Sequence, residues 1–72
     1  MTTIVDTGIR PLELDVIRLV RALGAAGPGA EGTIVAAHPE VDSYTLELVD
    51  SSGGVLAVIG ARRADFTVIW RP

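Results

Sequence analysis

The stretch SYTLELVDSSGGVLAVIGA, residues 43–61, sets the narrowest limits on what this chain can become. Its first half alternates, with Tyr44, Leu46 and Leu48 on one side of an extended chain and Thr45, Glu47 and Val49 on the other. That period of two is what a strand with one buried face requires. Its second half, residues 55–61, is apolar on both sides and rich in β-branched residues, which predicts a central or doubly covered strand. Between the halves stand Ser51, Ser52, Gly53 and Gly54, either a loop that cradles an anion or a hairpin turn. A phosphate loop needs a strand, then glycines, then a helix whose first N–H groups face the anion. Here strand-like sequence follows the glycines, no lysine is near, and Asp50 would repel a phosphate. Asp50 suits a turn in which its side chain bonds a nearby backbone N–H while Gly53 or Gly54 supplies a positive φ. The stretch predicts a β-hairpin.

The rest of the chain is cut just as short. Gly and Pro punctuate residues 24–32, Pro39 and residues 53–54, and pieces of this length favour strands and turns over a helical bundle. In FTVIW, residues 66–70, Phe66, Val68 and Trp70 alternate with Thr67 and Ile69. GTIVAAH, residues 32–38, reads as a further strand, opened by Gly32 and closed by the His38-Pro39 pair. Residues 10–24, RPLELDVIRLVRALG, carry two patterns at once. Leu12, Val16, Leu19 or Val20, and Leu23 fall at helical spacing, with Pro11 at a first helical position and Gly24 at a C-cap. Residues 16–20 also alternate as a strand does, and four short strands in barrel-like spacing pull the segment that way.

A chain of 72 residues has room for one domain, with residues 1–12 as an N-terminal arm or an extra strand. It has no cysteine, which removes disulfides, zinc–thiolate sites and thiol nucleophiles and fits a reducing cytoplasm. Neither a signal-peptide pattern nor an apolar run of the roughly 20 residues of a membrane span is present, so the expected location is cytoplasmic and away from membranes. Nine acidic residues face six basic ones, all arginine, for a net charge of −3. That balance counts against nucleic acid, whose phosphates require several cations on one face. A cluster of Arg18, Arg21, Arg62 and Arg63 would bring nucleic acid back into consideration. Hydrophobic residues make up 49% of the chain and the mean hydropathy is +0.45. In so small a volume part of this apolar surface stays outside, where it marks a partner or self-association interface.

Taken in order, ELDVIRLVRAL, a Gly/Pro loop, GAEGTIVAAH, YTLELVDSSGG and VLAVIGARRADFTVI resemble a family of small bacterial proteins catalogued as domain of unknown function 4926. The likeness covers residues 13–69, and its most specific parts are Gly29 with the run Gly32 to Val35, and Tyr44, Asp50 and Gly54. The resemblance implies a small SH3-like barrel of five strands, related in shape to KOW-type domains and to the barrel of nitrile hydratase β subunits. It implies residues 15–23 as the first strand, residues 24–31 as a long loop, and residues 62–65 as a short 3₁₀ turn before the last strand. It implies no activity. The loop GAAGPGAEG departs from the family in lacking the charges often seen there, Glu31 being its single charged residue.

Catalytic sets are sparse. His38, the only histidine, lies near Asp42 and Ser43, but all three fall on one hairpin loop with no oxyanion donors, and a polar turn explains them. One histidine among scattered carboxylates falls short of a metal shell. Trp70 either closes the core or, with Arg71, anchors an interface. An SH3-type proline-peptide groove needs more exposed aromatics than Tyr44, Phe66 and Trp70 supply. The chain therefore reads as no enzyme, with no cofactor, metal or small-molecule substrate, but as a protein-binding module with a protein partner or a second copy. Its expected contacts are a sheet edge and the surface around Ile4, Val5, Trp70 and Arg71. An antitoxin- or immunity-like partner of a larger protein fits size and acidity. The alternatives are an accessory subunit of an enzyme and, more weakly, KOW-like nucleic-acid binding.

Overall fold

A computed structural model describes residues 8–72 of the chain, so Ile4, Val5 and most of the N-terminal arm lie outside the described residues. Among the described residues five strands follow one another: β1 (Val16–Leu19), β2 (Glu31–His38), β3 (Ser43–Val49), β4 (Val55–Ala61) and β5 (Phe66–Trp70). Short 3₁₀ turns at Pro39–Val41 and Arg63–Asp65 precede β3 and β5. All pairings are antiparallel, in the order β4-β3-β2-β1-β5. This is the five-stranded all-β fold the sequence predicts, including the 3₁₀ turn before the last strand. No ladder joins β4 to β5, so among the described residues the sheet is curled but not closed into a barrel.

The curl comes from register shifts in three of the ladders, near Val16, at Val35 and at Leu56, since an extra residue on one strand bends it and sharpens its twist. It brings Phe66 of β5 edge-on to Tyr44 of β3, ring centroids 5.3 Å apart at 80°, although two strands lie between them in the sheet. The core sits inside this curl. Ile17, Leu19, Ile34, Leu46, Leu48 and Val68 are fully buried, and each such side chain contributes roughly 1.5–3 kcal/mol of transfer free energy. Gly32 pairs with Leu48 of β3, and a Cβ there would run into the Glu47 carbonyl.

The expected hairpin forms, with Tyr44, Leu46 and Leu48 all buried. Gly53 adopts φ +88°, and the Asp50 carboxylate accepts the Ser52 and Gly54 N–H groups at 2.9 and 3.0 Å and the Ser52 hydroxyl at 2.8 Å. The turn's own hydrogen bonds hold the Asp50 carboxyl below its ordinary range, chiefly that from the Ser52 hydroxyl.

Two expectations are corrected and one ambiguity is resolved. Residues 15–23 are not one long strand: β1 spans only Val16–Leu19, and the connection runs from Val20 to Ala30. Nor is there a helix, because Leu14 takes a left-handed conformation, φ 74°, and Ile17 and Leu19 reach the core while Arg18 and Val20 face out. Period two prevails where neighbours on both sides, β2 and β5, offer a sheet to join. Finally, β4 is not central. Among the described residues it is bonded to β3 alone and forms an edge of the sheet, because β5 pairs with β1 and not with β4. Among the described residues no strand precedes β1.

Candidate functional surface: the outer edge of β4

Two polar clusters and one apolar edge stand out. The first cluster is built on Asp15, the only buried charged residue among those described, 1% exposed. Arg71 holds it in a two-pronged pair, Nε to Oδ1 at 2.8 Å and Nη2 to Oδ2 at 2.7 Å. The Leu12 N–H donates to Oδ2 at 2.9 Å, and Arg71 also donates to the Arg10 carbonyl at 2.8 Å. Burial pushes the Asp15 carboxyl up, but the bonds from Arg71 and Leu12, with the guanidinium charge, outweigh it and hold the group below the ordinary carboxylate range. The same pairing raises Arg71. This arrangement fastens the segment before β1 to the chain beyond β5. Its chemistry is that of a clamp, since the carboxylate and the guanidinium satisfy each other internally. Asp15 escaped the sequence reading because an acid before a strand ordinarily reads as a solvated turn residue.

The arginines do not gather into one basic face. Arg18 pairs with Glu31, its cross-strand neighbour, at 2.9 Å. Arg21 lies 3.5 Å from Asp65, and the Arg62 N–H donates to the same carboxylate at 2.8 Å. Arg63 donates to the Phe66 carbonyl, stacks its guanidinium 5.3 Å from the Phe66 ring, and its N–H bonds Asp42. Asp42 is thus turned to Arg63, while His38 faces Ser43 across the β2–β3 ladder and lies 3.6 Å from Glu40. Among the described residues no group of three or more His, Asp or Glu is placed to hold a metal. Trp70 is half-buried and outside the core cluster, its enclosed Nε1–H without an acceptor among the described residues.

The apolar feature is β4 itself. Ala57, Ile59 and Ala61 lie opposite Leu48, Leu46 and Tyr44 and share their core-facing side. Val55, Leu56 and Val58 are left at 62%, 45% and 62% exposure. The strand carries no charge and no proline, the two commonest means by which sheet edges are made unattractive to other strands. Its one protective device is the extra residue at Leu56, which disturbs the start of the strand and leaves Ala57–Ala61 regular. On the adjoining outer face, Glu47 lies beside Val58, half-buried and with no charged partner among the described residues. A shallow groove at the turn end of the sheet is lined by Glu31 of β2, Val49 and Asp50 at the end of β3, and Leu56 of β4. No helix among the described residues is long and apolar enough to cross a membrane. No family model, curated protein or solved structure matches this chain.

Proposed function

We propose that the chain is a non-catalytic, cytoplasmic protein-binding module that takes a strand of its partner onto the outer edge of β4. The observation that carries this reading is an uncharged strand with one edge unpaired among the described residues and exposed Val55, Leu56 and Val58. Such an edge offers backbone hydrogen bonds and apolar side chains together, the two contributions on which strand addition rests. An antitoxin- or immunity-like neutralising role and an accessory role to an enzyme are narrower forms of the same proposal. So is kinship with the domain of unknown function 4926 family. The internal pairing of Arg18 and Arg21 with acids speaks for a protein partner over nucleic acid.

The test uses the tagged full chain as bait in its native host, beside two variants. Val58→Lys places a charge on the edge, and Val41→Lys alters an equally exposed valine, 70% exposed, in the turn before β3. The expected result is a stoichiometric partner retained by the wild type and Val41→Lys and lost by Val58→Lys. A partner that survives Val58→Lys, or the absence of any stoichiometric partner, overturns the reading.

A further inference from the structure

The surface beside the β4 edge also carries information about the partner's chemistry, an inference that rests on the strand-addition reading above. From Ser43 to Ala61 the β3–β4 hairpin contains two acids, Glu47 and Asp50, and no base. The two carboxylates differ in availability. Asp50 is engaged by its own turn but keeps its negative charge beside the groove. Glu47 makes no ion pair among the described residues. In the ladder it is flanked by Thr33 on one side and Val58 on the other, so no cation of the described chain sits beside it in the sheet.

A strand added outside β4 would continue that row: Thr33, Glu47, Val58, then a residue of the partner. Neighbouring strands are about 4.8 Å apart, which puts that residue roughly 10 Å from Glu47 along the outer face. The exposed side chain of Val58 fills the interval. Long basic side chains lay their methylene stems over apolar surface of this kind and keep the charged head beyond it. A Lys or Arg on the outer face of the added strand can therefore cover Val58 and place its charge at Glu47. An acid there would meet Glu47 and, toward the turn, Asp50. On the inner face the partner would extend the row set by Ala57 and Ile59, where small or branched apolar residues fit. We infer that the occupant of the β4 edge is an extended segment of another protein that alternates apolar residues with Lys or Arg, the basic residue opposite Val58 reaching Glu47. A second copy of this chain fits less well, since its β4 has no base to offer Glu47 and its net charge of −3 repels the first.

The experiment titrates the isotopically labelled full chain with two synthetic seven-residue peptides, one alternating valine with lysine and one alternating valine with glutamate. Amide chemical shifts locate binding, and sedimentation velocity reports self-association. Expected is a lysine peptide that shifts the amides of Val55–Ala61 and binds more tightly than the glutamate peptide. Glu47→Gln should weaken the lysine peptide about two- to fivefold, the range of an exposed ion pair, whereas Glu13→Gln, in the turn before β1, should not. Glu47→Lys should reverse the preference. If the two peptides bind alike at β4, or Glu47→Gln leaves the lysine peptide unaffected, the basic occupant is overturned and strand addition stands. If the chain self-associates through β4, excludes the peptides, and becomes monomeric as Val58→Lys, the occupant is a second copy and the inference is overturned. If neither peptide perturbs β4 and the chain is monomeric, both this inference and the edge-binding reading are overturned.

Discussion

Asp15 shows how much one side chain can be made to hold. It is buried, yet its two oxygens take three hydrogen bonds from Arg71 and Leu12, so removing it strands a guanidinium and a backbone donor at once. Breaking a buried pair costs roughly 3–5 kcal/mol; because the Arg71 side chain is 30% exposed, Asp15→Ala should cost about 3 kcal/mol in urea unfolding. Asp15→Asn keeps an acceptor for Leu12 and should cost less. The folded carboxyl titrates below its unfolded value of 3.8, so its stabilising contribution is complete above that pH and disappears as pH falls through the folded value. The thermal midpoint of the wild type should therefore fall with acid below about pH 4, and Asp15→Asn should flatten that fall. Two glycines make equally local claims. Gly32→Ala, driven against the Glu47 carbonyl and the Leu48 side chain, should cost about 2 kcal/mol, as overpacking against backbone does. Gly53→Ala meets open space, so only its positive φ matters, and about 1 kcal/mol is expected. Urea midpoints at constant m-value separate the two.

At the scale of elements, the sequence is legible where pattern and neighbours agree. The Tyr44, Leu46, Leu48 alternation and the turn chemistry of Asp50 and Gly53 depend on interactions within a few residues, and both are found as read. The failure at β4 has a different origin. Apolar composition records that residues 55–61 prefer burial, but not how many strands will flank them. That is decided by β5, which joins β1 instead, and nothing inside VLAVIGA reports it. Residues 10–24 carried both periods, and the strand that the neighbouring short strands favoured formed over Val16–Leu19, where Ile17 and Leu19 found strands on either side. The candidate surface was thus legible only as an apolar surplus, and its position was not; Glu47 gained meaning once its place beside Val58 was known. An edge strand with these exposed valines predicts a measurable separation of stability from association. Val58→Lys should change unfolding free energy by no more than about 0.5 kcal/mol, as surface substitutions do. Light scattering on heating should nevertheless show slower aggregation than in the wild type.

For the molecule as a whole, the pairing of β5 with β1 matters most, because it joins residues near opposite ends of the sequence, Arg18 with Thr67 and Leu19 with Phe66. Contacts of such separation slow folding, and a rate in the millisecond-to-second range is expected by stopped-flow fluorescence of Trp70. A chain stopped after Asp65 lacks Phe66 and Val68 and leaves β1 with one neighbour. It should show collapsed amide dispersion, whereas removal of Arg71 and Pro72 alone should leave a folded but weakened protein. The clamp of Arg71 on Asp15 and on the Arg10 carbonyl has one more consequence. It holds residues 10 and 71 side by side, so the order in which the polypeptide is threaded is separable from the architecture it builds. Joined there by a short linker and opened between Ser51 and Gly54, residues 10–71 would form a circular permutant that keeps the pairings of β1 to β5. Such a permutant would begin at β4, leaving the edge proposed for the partner next to a new and movable terminus.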